Sequence, residues 1–433
     1  MARVLILGGG FGGFYTALGL ERRLRGRAHQ VTLVSNENYL LYTPLLPEAA
    51  SGALEPRHLV VPLRSALRRT EVVVGAVTAI DVPGHAVTVR PQAGPDRVLP
   101  FDHLVFALGS GMRMPASVPG LARHAVGFRN LAEAIYLRNR LLSHLELADF
   151  TPDEAARRRL LTFVFVGGGY AGTEAAAELH AMAHDALRYY PRLLPAMPRF
   201  LILEAAPSIL RDLGDAFAGR VQRRLIAKGI EIHTGTTLRA VRPHEVELST
   251  GEVVPTATVV WTAGVVANPL TAQVPGEKDA RGRLVTAPDL RVPGCEGLWA
   301  LGDSAAVPDD KADGQPAPAT AQHALRQART LAHNIAAVLG GRPTRRFAHG
   351  NLGMLAALGK YDGAGRLLGV PVSGFLAWWL VRTYHLLQLP TLARKVRVVI
   401  DWTIALFFPR DIAQLGSLGR VRPEEPAATL ERP

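Results

Sequence analysis

Residues 163–179 read FVFVGGGYAGTEAAAEL, and residues 3–20 have already read RVLILGGGFGGFYTALGL. In each stretch a run of apolar and β-branched residues makes a buried strand, glycines follow at G-x-G-x-x-G spacing, and an alanine- and leucine-bearing helix comes next. Glycine at these points lets the backbone turn sharply and approach a diphosphate with no Cβ in the way. The helix behind the turn aims its free N–H groups and positive dipole end at the phosphates. The first set is Gly8, Gly10 and Gly13, with Gly12 beside them, and the second is Gly167, Gly169 and Gly172. One such match is weak, because glycine turns between strand and helix are common. Two matches, each with its strand and helix, make a repeat.

The repeat extends past the glycines. HQVTLVSNENY follows the first copy and PRFLILEAAPSIL the second. Each contains a second strand whose end should meet a ribose. Glu204 ends the second of these and suits a ribose hydroxyl; Ser35 and Asn36 end the first, where an acid is usual. TEVVVGAVTAIDVPGHAVTV and GIEIHTGTTLRAVRPHEVEL then alternate as short strands around turns, and lead to FDHLVFALGS and ATVVWTAGVV. The offset from Gly8 to Gly167 nearly equals that from Gly109 to Gly264. The expected architecture is α/β, with two Rossmann-like dinucleotide-binding domains, each carrying an antiparallel meander.

A chain of 433 residues has room for two or three domains. Its single cysteine, Cys295, excludes internal disulfides, a Cys-x-x-Cys redox pair and a cysteine-ligated iron–sulfur cluster. Redox work therefore falls to bound cofactors. Among the 14 histidines neither H-x-x-x-H nor H-E-x-x-H spacing is counted, so no metal site is expected. The chain enters its first strand by Val4, with no apolar stretch for a signal peptide, and the body is expected to be cytoplasmic.

A third motif, GLWALGDSAAVP at residues 297–308, brings a small-residue strand to Gly302 and Asp303. It resembles the second flavin fingerprint of the two-dinucleotide-binding-domain flavoproteins. Within them the chain resembles the type II NADH:quinone oxidoreductases, which are single-subunit and non-pumping. The resemblance rests on residues 38–64, 118–146 and 318–335, on the two glycine turns, and on the segment ending DWTIALFFPRDIAQL. It implies that the first unit and Asp303 hold FAD non-covalently and that the second unit takes NADH as substrate. The FAD contacts it implies are Gly8, Gly10, Gly12, Gly13, Ser35, Asn36, Val77, Asp303 and Gln322. For NADH it implies Gly167, Gly169, Gly172, Glu174, Glu204 and Gly264. Glu174, Gln322 and Gln327 become the candidate catalytic residues, and Glu48 a further candidate for a proton path. Glu174 also has a plainer reading, as an acid favoured by the dipole in a helix's first turn. The chain departs from the family at Arg326, where many members carry a second glutamine before the one matching Gln327.

Net charge is +12 and the pI about 10.3, yet the arginines are scattered and no basic run interleaves with aromatics, so no nucleic-acid partner is expected. A membrane surface is the stronger partner. Residues 372–389, VSGFLAWWLVRTYHLLQL, are long enough to span, but Arg382 and His385 interrupt them, which suits a helix lying in the interface. After Pro390, Arg394, Arg397 and Asp401 recur opposite Val396, Val399, Ile400, Phe407 and Phe408. Trp378, Trp379 and Trp402 are expected at headgroup depth. Packing as a cap on the flavin domain, or against a second copy in a homodimer, is the other reading of these faces, and both can hold on different sides.

The expected division is residues 1–117 and 280–345 for the FAD domain, 118–279 for the NADH domain with its lead-in helix, and 346–433 for an amphipathic helical membrane-association region. By resemblance the protein passes a hydride from NADH to FAD and two electrons on to a membrane quinone, as a peripheral protein on the cytoplasmic face of the cell membrane. Two alternatives stay open: a soluble FAD-dependent NADH reductase of a small iron–sulfur or rubredoxin-like partner, and a non-catalytic NADH-sensing membrane protein.

Overall fold

The computed structural model describes residues 1–194, 196–349 and 353–414. Its first sheet starts from β1 (Arg3–Leu7), which runs into α1 (Phe11–Arg23). Val4 to Leu7 are all buried, as a strand covered on both faces requires. β2 (Gln30–Ser35) and β3 (Glu71–Asp81) lie parallel on one side of β1. β3 then turns back through the antiparallel β4 (Ala86–Pro91) and β5 (Arg97–Pro100), which is the expected meander. β6 (His103–Phe106) lies parallel on the other side of β1. Between β2 and β3 the chain makes the short helix α2 (Leu46–Ala50), wholly buried.

The second sheet repeats the plan. β7 (Ala125–Gly127) precedes the long helix α3 (Leu131–Phe150), whose start is fixed by a capping box between Asn130 and Glu133. β8 (Thr162–Val166) runs into α4 (Tyr170–Leu187), and β9 (Arg199–Glu204), α5 (Asp215–Ala227), β10 (Ile230–Thr234) and β11 (Thr258–Trp261) follow. The strand order is β7-β11-β8-β9-β10, all parallel. Its meander, residues 238–255, forms a separate three-stranded antiparallel sheet. The segments that lead out of and back toward the first unit pair with each other, Ser110–Met112 against Val265–Ala267.

The chain then returns. β12 (Leu298–Ala300) adds to the first sheet beside β6, and α6 (Ala321–Val338) packs on α1. That packing is close because Gly19 lacks a side chain: a Cβ there would stand 2.6 Å from Ala332 Cβ. The C-terminal part contains the antiparallel strands β13 (Gly353–Ala357), β14 (Gly363–Leu367) and β15 (Val370–Ser373), then α7 (Phe375–Gln388) and α8 (Leu392–Phe407). One face of the α7–α8 pair buries Leu389, Val398 and Trp402 against Tyr42, Leu45 and Leu59. The other exposes Phe375, Leu376, Trp379, Leu387, Leu392, Val396, Ile400, Ile404 and Phe407. Among the described residues no helix is long and apolar enough to cross a membrane.

The tryptophans correct one expectation. Trp379 is 50 % exposed, but Trp378 and Trp402 are 5 % and 9 % exposed and point inward. They sandwich the Arg382 guanidinium, at 3.9 and 4.9 Å from its carbon to the ring centres. Arg382 is therefore inside the protein and not at a lipid surface.

Candidate functional site: two glycine cradles and an acid between them

The two turns match in detail. Gly8 and Gly167 have φ of +106° and +112°, and each donates its N–H to the neighbouring strand, to Val34 O and Leu203 O, both at 2.8 Å. A Cβ on Gly13 would stand 1.8 Å from Gly8 O, and one on Gly172 2.0 Å from Gly167 O. These glycines are demanded by backbone approach. Gly10 and Gly169 differ: a Cβ on either would meet nothing within 4 Å. Each is the N-cap of its helix, without a capping side chain and without an acid in the first turn. Open space in front of uncapped N–H groups, with no acid in the first turn of either helix, is what a diphosphate needs, so both cradles fit a dinucleotide. Gly12 lies inside α1, where the Leu301 side chain fills the space beside it. Gly109 and Gly264 have φ of +69° and +70° at equivalent strand ends.

At the end of β9, Glu204 accepts from the N–H of Gly168 at 2.6 Å and of Ala206 at 2.8 Å, so its carboxylate is fixed beside the second turn. Ser35 takes the matching place in the first unit; a Cβ on Gly9 would meet its Oγ at 2.4 Å. Asn36 follows, exposed, and Val77 lies half-buried at a bulge of β3. An acid such as Glu204 in this place opposes a nucleotide 2′-phosphate. A 2′-phosphate about 4 Å from it near the surface is repelled by about 1–4 kcal/mol, or roughly tenfold to several hundredfold. NADH is therefore expected to exceed NADPH in kcat/KM by that factor, and equal values for the two would refute the assignment.

Asp303 sits in the turn after β12. It accepts from Ser110 Oγ at 2.8 Å, while Ser304 Oγ accepts from Gly109 N at 3.2 Å and Arg129 Nη2 donates to both oxygens of Ser110 at 2.9 Å. Gln327, 2 % exposed, accepts from Gly302 N at 2.7 Å and so holds this turn from α6. Gln322 is half-buried on the same helix, its Nε2 3.4 Å from His349 Nε2. Ser110 and Arg129, which carry no sequence signal of their own, buttress the motif from outside it, and Ser304 ties it to Gly109 from within. Asp303→Ala should lose about 1–3 kcal/mol of FAD affinity, as one buried polar contact. The variant is expected to purify with less flavin, read from its visible absorbance against protein; full flavin with unchanged affinity would refute the role.

Glu174 lies on α4 beyond the first turn, which disposes of its plainer reading as a dipole-favoured acid. It is half-buried and accepts from the N–H of Ala357 in β13 at 2.9 Å. Burial pushes its carboxyl up to about 8; the Ala357 N–H opposes the shift, and the nearby Glu178 and Glu48 reinforce it. Glu178, 1 % exposed, accepts from Ser51 Oγ at 3.0 Å and Arg410 Nη2 at 2.7 Å. Glu48, 4 % exposed, accepts from Arg382 Nη2 at 3.1 Å and Trp402 Nε1 at 2.6 Å. Burial raises the Glu48 carboxyl and Arg382 draws it back. The structure thus gathers Glu48, Glu174 and Glu178 between the second cradle and the C-terminal helices.

The histidine reading needs a correction. One H-x-x-x-H spacing does occur, His180 and His184 on α4, with Nε2 atoms 3.1 Å apart. Two imidazoles at that distance share one hydrogen bond, and among the described residues no group of three or more His, Cys, Asp or Glu side chains is set to hold a metal.

Residues 2–328 match the pyridine nucleotide-disulphide oxidoreductase family. Over 94 % of its length the chain is 31 % identical to the type II NADH:quinone oxidoreductase Ndh of Mycobacterium tuberculosis, covering 89 % of that protein. It is 34 % identical to the demethylphylloquinone reductase NdbB of Synechocystis, over 92 % of this chain and 95 % of that one. The solved structure of NDH2 from Plasmodium falciparum in complex with NADH has the same fold, with a TM-score of 0.87 over 95 % of this chain and 99 % of that chain at 17 % identity. With its paired cradles and nearly full-length likeness, this chain belongs to the type II NADH:quinone oxidoreductases, within the pyridine nucleotide-disulphide oxidoreductase family.

Proposed function

We infer that this protein is an FAD-dependent NADH dehydrogenase that delivers its electrons to a quinone and pumps no protons. The observation that carries the quinone half is Glu174, a carboxyl on the helix of the NADH cradle that accepts a hydrogen bond from the first C-terminal strand, β13, and that burial shifts toward its neutral form. When bound, FAD supplies the redox chemistry, taking a hydride from NADH and returning two electrons. The chain's own residues bind and place the reactants. The first cradle, Ser35 and the Asp303 turn would hold FAD; the second cradle and Glu204 would hold NADH. Glu174 would hold a proton at its carboxyl oxygen for the acceptor, since quinone reduction consumes protons as well as electrons.

The exposed face of α7 and α8 supports a peripheral seat on the membrane. Each large apolar side chain inserted in lipid contributes up to about 1.5–3 kcal/mol. Each basic residue near an anionic surface, such as Arg397, adds about 1 kcal/mol. We place this face on the cytoplasmic leaflet and assign it to lipid, because the exposed Arg397 stands among its exposed apolar side chains. The test is a visible spectrum under anaerobic conditions, with a flotation assay on anionic liposomes. NADH should bleach the flavin bands, a quinone should restore them, and the protein should float with the vesicles. Flavin bleached by NADH yet restored only by a small redox protein, in a protein that does not float, would favour the soluble reductase.

A further inference from the structure

Both arginines that pair with the buried glutamates come from the C-terminal segment. Arg382 leaves α7 to reach Glu48 on α2, and Arg410, after α8, reaches Glu178 on α4. The side chains of both pairs are almost wholly enclosed. Arg410 Nη1 also donates to the Glu178 carbonyl, and its Nε lies 3.8 Å from Asp185. Glu174 faces Glu178 on its own helix, Glu48 from α2 and the Ala357 N–H from β13, and has no cation within ion-pair distance among the described residues. The other cations nearby are engaged elsewhere, Lys360 over the Tyr361 ring at 5.2 Å. Lys228 and Arg224 are held by Asp362, and Arg138 on α3 by the carbonyls of Asp411 and Ala413.

Three carboxyl groups gathered in a low-dielectric site cannot all ionise unless positive charge is supplied. Here two arginines serve three acids. We propose that Arg382 and Arg410 are positioning residues for Glu174: they supply counter-charge to Glu48 and Glu178, leaving Glu174 as the acid of the cluster without a cation, and the seating of the C-terminal segment controls it. The proposal rests on the reading of Glu174 as the proton source for the acceptor. It gives the C-terminal segment a second task besides meeting lipid, because an unseated segment withdraws both counter-charges at once.

The experiment follows the infrared band of the protonated carboxyl through a pH titration of the full-length, FAD-loaded protein, with Glu174→Gln identifying the band by its loss. Glu178→Gln, which keeps the side-chain volume, removes one buried negative charge, leaves Arg410 only its longer pair with Asp185, and should lower the Glu174 midpoint by on the order of one pH unit. Arg410→Met should raise that midpoint or add a second titrating carboxyl that Glu178→Gln removes. The double variant should return close to the wild type, and Arg410→Lys should resemble it throughout. An unmoved midpoint in Glu178→Gln, or an unchanged band pattern in a folded Arg410→Met, would overturn the proposal. If these midpoints move but wild-type quinone turnover ignores the Glu174 titration, the reading of Glu174 as donor falls instead, since the infrared signal does not depend on turnover.

Discussion

Glu174→Gln will slow quinone reduction by about 10²–10⁴-fold, the usual worth of a positioned proton donor, while the variant keeps its FAD and still oxidises NADH with ferricyanide, which takes no proton. The pH dependence follows from the same group. Burial raises the Glu174 carboxyl to about 8, so the neutral acid is present below that pH and gives way to a carboxylate above it. Wild-type quinone turnover should therefore decline as pH rises through about 8, and the glutamine variant should lose that limb. Steady-state rates with a short-chain quinone across this range decide the matter; a glutamine variant at full quinone rate would remove Glu174 from the chemistry.

Arg382→Ala will destabilise the folded protein by about 3–5 kcal/mol, because it leaves the Glu48 carboxylate buried with its cation gone. It also opens the slot between Trp378 and Trp402. A domain's whole stability is only about 5–15 kcal/mol, so the loss should appear as a large drop in the denaturation midpoint. Glu48→Gln combined with Arg382→Met, which removes both charges and keeps most of the volume, should recover much of it. An unchanged midpoint in the single variant would show that the pair is not closed in solution. Deletion of the chain from Gly369 removes α7, α8 and both arginines. Such a deletion is expected to end membrane binding, but it also strips the counter-charges from Glu48 and Glu178 and should damage the body. Changes on the exposed face, such as Trp379→Glu, test membrane binding without that cost.

Local constraints were the legible ones. A positive φ at Gly8 or a carbonyl oxygen under Gly13 admits one residue type, so the pattern on the page is the geometry itself. Glu204 and the Gly302–Asp303 turn were readable for the same reason, since each closes a strand that periodicity already marked. Partnerships over distance were not. Gln327 looks like any polar helix residue until Gly302 arrives on the other side of it. Arg382 within an apolar run, and Arg410 after one, match the pattern of interfacial anchors, and only the fold reveals that Glu48 and Glu178 wait for them. Trp378 and Trp402 were misplaced with Arg382, because amphipathic spacing gives a face without saying which neighbour covers it.

The late arrival of β12 beside β6 has a consequence for synthesis. The edge of the first sheet at His103–Phe106 stays open until Leu298–Ala300 has left the ribosome, whereas the second sheet is built from one unbroken stretch between Ala125 and Trp261. At about 5–20 residues per second, that edge waits roughly ten to forty seconds. The downstream unit should therefore mature first, while an apolar parallel edge stands unpaired and prone to adhesion. Chains arrested on the ribosome shortly before Leu298 should show protease resistance over residues 125–261 and sensitivity over the first sheet, and chains arrested well past Val338 should be resistant in both. Over that interval, the half that begins the protein is expected to adhere to other chains more readily than the half that follows it.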